Sequence, residues 1–223
     1  MNIFHLELSS DMLERLRVNI QDRLYGQTRK PLEAIQELVE EAILTAESSV
    51  KPKGIYHLLP VLNTDKDAVQ TSAGKIQSPM FSHLVNQCKG DRYIIFMVVT
   101  IGEALEETGW SQKGVLYQWV FDLVGSELVE IVADRLEDQL EKADRAGIQY
   151  STRFSPGYCD WALEGQRIIF NALDVEKIGV TLSSHRVMVP EKSVSAIKVT
   201  ANEVPFSKTC FFCNKKDCHW RRL

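Results

Sequence analysis

Two stretches of this sequence carry side chains whose types and spacing could do chemistry. The first is Arg153-Phe154-Ser155-Pro156-Gly157-Tyr158. Arginine presents a planar fork of donors that matches a carboxylate. Pro156-Gly157 forces a turn that brings backbone groups close to a ligand. Tyr158 offers a ring to cover a planar moiety and a hydroxyl to orient it. A small zwitterion joined to a planar base would use all three. A surface turn with a stacked arginine uses the same residues, and local chemistry leaves both readings open.

The second stretch is Cys210-Phe211-Phe212-Cys213-Asn214-Lys215-Lys216-Asp217-Cys218-His219. Two thiolates separated by two residues can bite one metal ion, and a third within the same loop supplies most of a tetrahedron. An iron–sulfur cluster and zinc both suit such a set. The fourth ligand is not fixed by the spacing. His219 adjoins Cys218, which makes joint ligation awkward, and Cys159 is the other candidate. Lys215, Lys216, Arg221 and Arg222 around the thiols favour their ionised form. A tail of free thiols is the alternative. One further acid, Asp138, sits on a helical stretch where it could receive a ligand ammonium or simply face solvent.

These residues need a scaffold, and the totals allow one. The 223 residues suffice for one good core. A net charge of −4 speaks against a nucleic-acid or anionic-membrane partner. No apolar run approaches the ~20 residues of a membrane helix, and the N-terminus lacks the pattern of a signal peptide. The expected compartment is the cytoplasm, where five cysteines are reduced or bind metal. Signatures such as G-x-S-x-G, H-E-x-x-H, the Walker loop and G-x-G-x-x-G do not occur.

Alternation over residues 2–8 predicts a strand. Met12, Leu16, Ile20 and Leu24 predict a helix behind an N-cap at Ser9-Ser10-Asp11. Pro31 opens a second helix, with Leu32, Ile35, Leu38, Val39, Ile43 and Ala46 as its apolar stripe. Strands are expected at 54–60, 68–70 and 93–99, with a short helix from Ser78-Pro79 to about Cys88. Thr100-Ile101-Gly102 reads as a helix start. Val115 to Ala146 is the longest periodic segment and the expected spine. Its first half is apolar nearly all round, as in a helix passing through a core. In its second half Leu128, Ile131, Val132, Leu136 and Leu140 oppose Glu130, Asp134, Glu137, Asp138 and Glu141. A helix over 163–173 and strands at 178–182, 186–189 and 196–199 complete the expectation. The sum is one α+β domain over residues 1–205, then a cysteine-rich tail over 206–223.

Several of these motifs, in order, resemble the activation domain of cobalamin-dependent methionine synthase. The matching residues are Thr100-Ile101-Gly102, Val124-Gly125-Ser126, Val129-Glu130, Ala133-Asp134-Arg135-Leu136, Arg153-x3-Gly157-Tyr158, Ile178-Gly179-Val180-Thr181-Leu182-x-Ser184 and Met188-x-Pro190-x2-Ser193-Val194-Ser195. The likeness covers roughly residues 95 to 196. It implies a curved domain built on an antiparallel sheet with a long central helix and flanking helices. It also implies that S-adenosylmethionine is bound at Arg153, Phe154, Gly157, Tyr158 and Asp138. There Arg153 would take the ligand carboxylate, and Asp138 would stand where the family has a glutamate. Such a domain caps a corrinoid and supports its reductive methylation. The chain lacks the D-x-H-x-x-G cobalamin motif and room for substrate barrels, so cobalamin would be carried by a partner. That partner would be a corrinoid-binding protein or a methionine synthase without its own activation domain. Flavodoxin or ferredoxin would donate the electron, and the chain would be a component of a methyltransferase activity. An assembly module with a structural zinc tail is the alternative.

The chain departs from the family in four places. Cys159 replaces the usual proline after tyrosine, and Ala196 replaces the glycine after Ser195. The N-terminal aspartate region of the family is not recognisable in residues 1–90. The cysteine tail has no counterpart.

Overall fold

The computed structural model describes residues 1–25, 33–110, 114–143 and 147–205. An antiparallel sheet of five strands divides it, in the order β1 (Asn2–His5), β2 (Lys53–Pro60), β6 (Tyr93–Thr100), β10 (Ser193–Ala201) and β7 (Gln149–Tyr150). Three-stranded β3 (Asn63–Thr64), β4 (Ala68–Thr71) and β5 (Gly74–Gln77) form a second sheet, and β8 (Thr181–Leu182) pairs with β9 (Met188–Val189). The helices are α1 (Ser10–Tyr25), α2 (Glu33–Ser49), α3 (Pro79–Gln87), α4 (Ala104–Trp110), α5 (Val115–Ala143) and α6 (Gln166–Ala172). Fold class and curved α+β architecture are as expected from the sequence. No helix among the described residues is long and apolar enough to cross a membrane.

The central strands are buried on both faces, which explains why β6 is an unbroken apolar run rather than an alternating one. Successive side chains still point to opposite sides. Ile95, Met97 and Val99 join the core under α1, α2 and α5, with Leu16, Ile20, Ile43, Leu128, Val132 and Leu136. Ile94, Phe96 and Val98 join a second core with Phe81, Phe154, Trp161, Ile169 and Val199, beneath α3, α6 and the small sheet. Each fully buried large side chain contributes roughly 1.5–3 kcal/mol, so both layers are needed to hold one strand in place.

Several boundaries differ from the expected ones, each for a local reason. The first turn of α5 does not pass through a core: Val115, Leu116 and Trp119 are exposed, and full burial starts at Val120 and Phe121. The strand expected at 178–182 shrinks to Thr181–Leu182. Before it, Val175–Ile178 closes a 3-10 turn that ends on Gly179 at φ 79, a left-handed cap no extended chain can contain. The strand expected at 186–189 likewise shrinks to Met188–Val189, behind Arg186 at φ 66. The helix expected over 163–173 splits into a 3-10 turn, Leu163–Gly165, and α6.

Candidate functional site

α5 carries Glu127, Glu130, Asp134, Glu137 and Glu141, alternately three and four residues apart. On a helix of 3.6 residues per turn that spacing lines one side. Cations from three other segments meet this acidic line. Arg23 Nε lies 2.5 Å from Glu127 Oε1, and Asn19 donates to Glu127 Oε2 at 3.2 Å. Arg15 pairs with Asp134 through Oδ2. Arg153 Nη2 donates to Glu130 Oε2 at 3.1 Å and to Asp134 Oδ1 at 2.6 Å, while its Nε lies 3.6 Å from Glu137 Oε1. Lys198 Nζ lies 2.9 Å from Glu141 and 3.5 Å from Glu137.

Strand pairing aims Arg153 at this line. From β7 onward the chain runs antiparallel beside β10: Tyr150 faces Thr200, Ser151 N–H donates to Val199 O at 2.9 Å, and Phe154 bridges Ile197 in both directions. Alternation then sends Phe154 into the second core and Arg153 to the α5 side. The Phe154 ring is 2% exposed and stacks on Phe81 and Trp161 at centroid distances of 5.4 and 5.7 Å. Phe154 therefore lends the site its backbone position, and its ring is core.

The turn that follows is tight. Gly157 takes φ 87 and donates its N–H to Trp161 O at 2.8 Å, a conformation that favours glycine. Tyr158 stands half exposed at the apex. Cys159 is exposed at φ 56, which proline's ring cannot reach, so this turn is shaped differently from one carrying the family's proline. Asp160 accepts from Ser78 Oγ at 2.6 Å and from Met80 N–H at 2.8 Å, tying the turn to the start of α3.

Asp138 does not join Arg153. It is exposed, one helical turn beyond Asp134, and the acids that hold the guanidinium are Glu130, Asp134 and Glu137. Burial pushes the Glu137 carboxyl above its ordinary range, against the opposing pull of Arg153 and Lys198. Arg153 is itself half satisfied. Its Nη1 is buried and has no hydrogen-bond acceptor among the described residues, which leaves a desolvated donor unsatisfied.

At the opposite end of β10, other motif residues meet around Lys192. Its amine lies 2.5 Å from Asp122 and 3.0 Å from Ser126 Oγ, and its carbonyl accepts from Ile101 N–H at 3.1 Å. Ser193 Oγ donates to Thr100 Oγ1 at 2.9 Å. Thr100, Ser126 and Ser193, from three separate motifs, thus gather around Lys192.

The partners Arg15, Glu130, Asp134, Glu137 and Lys198 were not singled out as site residues from the sequence. The signal that could have found them is the acidic three-four spacing beside the apolar stripe of α5. Cys210, Cys213, Cys218 and His219 lie outside the described residues. Among the described residues no group of three or more His, Cys, Asp or Glu side chains is placed to hold a metal ion.

No family model matches this chain, and no curated protein does. Among solved structures it is similar to the MetH reactivation domain bound to AdoHcy, with a TM-score of 0.61, 17% sequence identity, and coverage of 94% of this chain and 81% of that one. At that identity the likeness is one of fold: the chain has the architecture of a methionine synthase reactivation domain.

Proposed function

We propose that this chain binds S-adenosylmethionine and supports reductive methylation of cob(II)alamin held by a separate corrinoid protein. One observation supports the ligand above others. Arg153 and Asp134 are in contact at 2.6 Å, and Arg153 Nη1 is left without an acceptor. An α-amino acid carries its carboxylate and ammonium one carbon apart, so it needs a donor fork and an acid that already touch. Arg153 would take the carboxylate, and Asp134 with Glu130 would take the ammonium. Tyr158, half exposed at the apex of the following turn, would cover the adenine face. The solved relative of the same fold holds AdoHcy.

In the overall reaction one external electron and one methyl cation reach cobalt. The sulfur–methyl bond breaks with its electron pair left on sulfur, so S-adenosylhomocysteine departs. Flavodoxin or ferredoxin would supply the electron. Cys210, Cys213 and Cys218, with Cys159 or His219, would hold an iron–sulfur cluster or zinc in the tail. Anaerobic purification with an absorption spectrum and metal analysis separates the two.

Titration calorimetry with S-adenosylmethionine tests the binding claim. Binding by the wild type that Arg153→Ala abolishes, with the fold retained, supports it. Absence of binding, with a corrinoid protein present as well as without, removes it. A second reading is favoured by the acids already gripping Arg153: the arginine would be purely structural and the chain a non-catalytic corrinoid-protein module. Under that reading Arg153→Ala lowers stability and leaves docking intact.

A further inference from the structure

We propose that Arg15 on α1 is an intramolecular stand-in for the ligand's ammonium, and that it sets the affinity of the site by competing for Asp134. The inference rests on the S-adenosylmethionine reading above. Asp134 uses Oδ1 for Arg153 and Oδ2 for Arg15. Oδ2 is therefore the oxygen left for an ammonium, and a guanidinium already occupies it.

The two arginines are not equivalent. The Arg153 side chain is 15% exposed, anchored beside β10 and shared among three acids. The Arg15 side chain is 50% exposed, and Asp134 is the acid it pairs with. Releasing Arg15 into water is cheap, whereas releasing Arg153 strands buried carboxylates. Arg15 also borders an open polar groove between α1 and α5, lined with Asn19, Arg23, Glu127, Glu130 and Asp134, into which it can withdraw. An incoming α-ammonium would displace Arg15 from Oδ2, and the ligand carboxylate would settle on Arg153 without disturbing the rest of the acidic line. Charge is conserved in the exchange, since one cation replaces another on the same oxygen.

The test compares wild type with Arg15→Met by titration of S-adenosylmethionine and of 5′-methylthioadenosine, which lacks the amino-acid head. Removing an exposed competing pair is expected to tighten S-adenosylmethionine binding roughly two- to fivefold. The effect is confined to the ligand that carries the ammonium. Unchanged or weaker binding of S-adenosylmethionine overturns the proposal, as does equal tightening of both ligands. Arg15→Gln repeats the measurement should the methionine variant fold poorly. If no form binds S-adenosylmethionine while all remain folded, the ligand reading itself falls. If the wild type binds and the variants bind equally well, this inference alone falls.

Discussion

Replacing Arg153 with methionine should destabilise the protein much more at pH 8 than at pH 5. The substitution keeps most of the side chain's apolar stem and removes the charge that Glu130, Asp134 and Glu137 share. Losing one partner of a fully buried pair costs about 3–5 kcal/mol, and losing an exposed one costs under about 1 kcal/mol. With side-chain exposures of 15% for Arg153, 41% for Glu130, 24% for Asp134 and 17% for Glu137, the present case falls between. A cost of about 2 kcal/mol follows near pH 8, or a fall of about 4–8 °C in melting temperature for a chain this long. Glu137 supplies the pH dependence. Its folded pKa already lies above the ordinary glutamate value of 4.5 because burial outweighs its cations. For an acid shifted in that direction, stability is greatest below the unfolded pKa and is lost as pH rises through the folded one. Taking away Arg153 removes the first of the two cations that oppose the shift, so the carboxyl moves up further. It then takes up a proton at higher pH than in the wild type, so the stranded charge is neutralised more at pH 5 than at pH 8. Urea unfolding of both proteins at pH 5 and pH 8 measures the difference. Equal destabilisation at the two pH values, or a loss under about 0.5 kcal/mol at both, would refute the reasoning.

Four further substitutions probe the turn that carries the site. Asp160→Ala removes the acceptor for Ser78 Oγ and Met80 N–H at the start of α3, and thermal melts should show a loss of about 1 kcal/mol. Gly165→Ala would place a Cβ 2.2 Å from Trp161 Nε1; with Trp161 buried against Phe154, the expected cost exceeds about 3 kcal/mol, read as tryptophan fluorescence shifted toward that of the unfolded chain. Cys159→Pro cannot adopt φ 56 and should both destabilise the protein and abolish ligand binding. Cys159→Gly at the same position should gain about 0.5–1 kcal/mol in denaturant titration, because glycine adopts that backbone without the penalty of a Cβ.

Periodicity made most of this fold readable. Met12, Leu16, Ile20 and Leu24 repeat on one face of α1, and the apolar run Tyr93–Val99 could only be a strand covered on both sides. What failed was local. A turn at Gly179 truncated an expected strand, because a left-handed cap looks the same in sequence as a glycine inside a strand. Leu116 and Trp119 look like core in sequence, since composition does not tell which apolar face lacks a partner. The site was half legible. Arg153, Gly157 and Tyr158 stand out through their residue types, whereas Arg15 and Lys198 are ordinary cations until the fold brings segments from positions 15 and 198 against α5. Asp138 stands where the family has its helix acid, and one helical turn separates it from Asp134, the acid that meets Arg153. Only the strand register that aims Arg153 distinguishes them.

Under the proposed ligand reading, that register also lets one arginine serve both the fold and a ligand. A guanidinium has five N–H donors, and here Nη2 and Nε meet the acids of α5 while Nη1 is buried with no hydrogen-bond acceptor among the described residues. On that reading the helix would hold the fork in place without using all of it, so little rotamer entropy would remain to be lost when a carboxylate arrives. An arginine without these acids would be more available but less prepared. Arg153→Lys separates the two contributions. A lysine keeps the charge that satisfies Glu130 and Asp134, so most of the stability should survive, but it offers no second planar nitrogen for the ligand. Stability close to wild type with ligand affinity reduced at least tenfold is the expected result by calorimetry and melting. Affinity and stability falling in parallel would mean that charge alone, and not the fixed fork, is what the site uses.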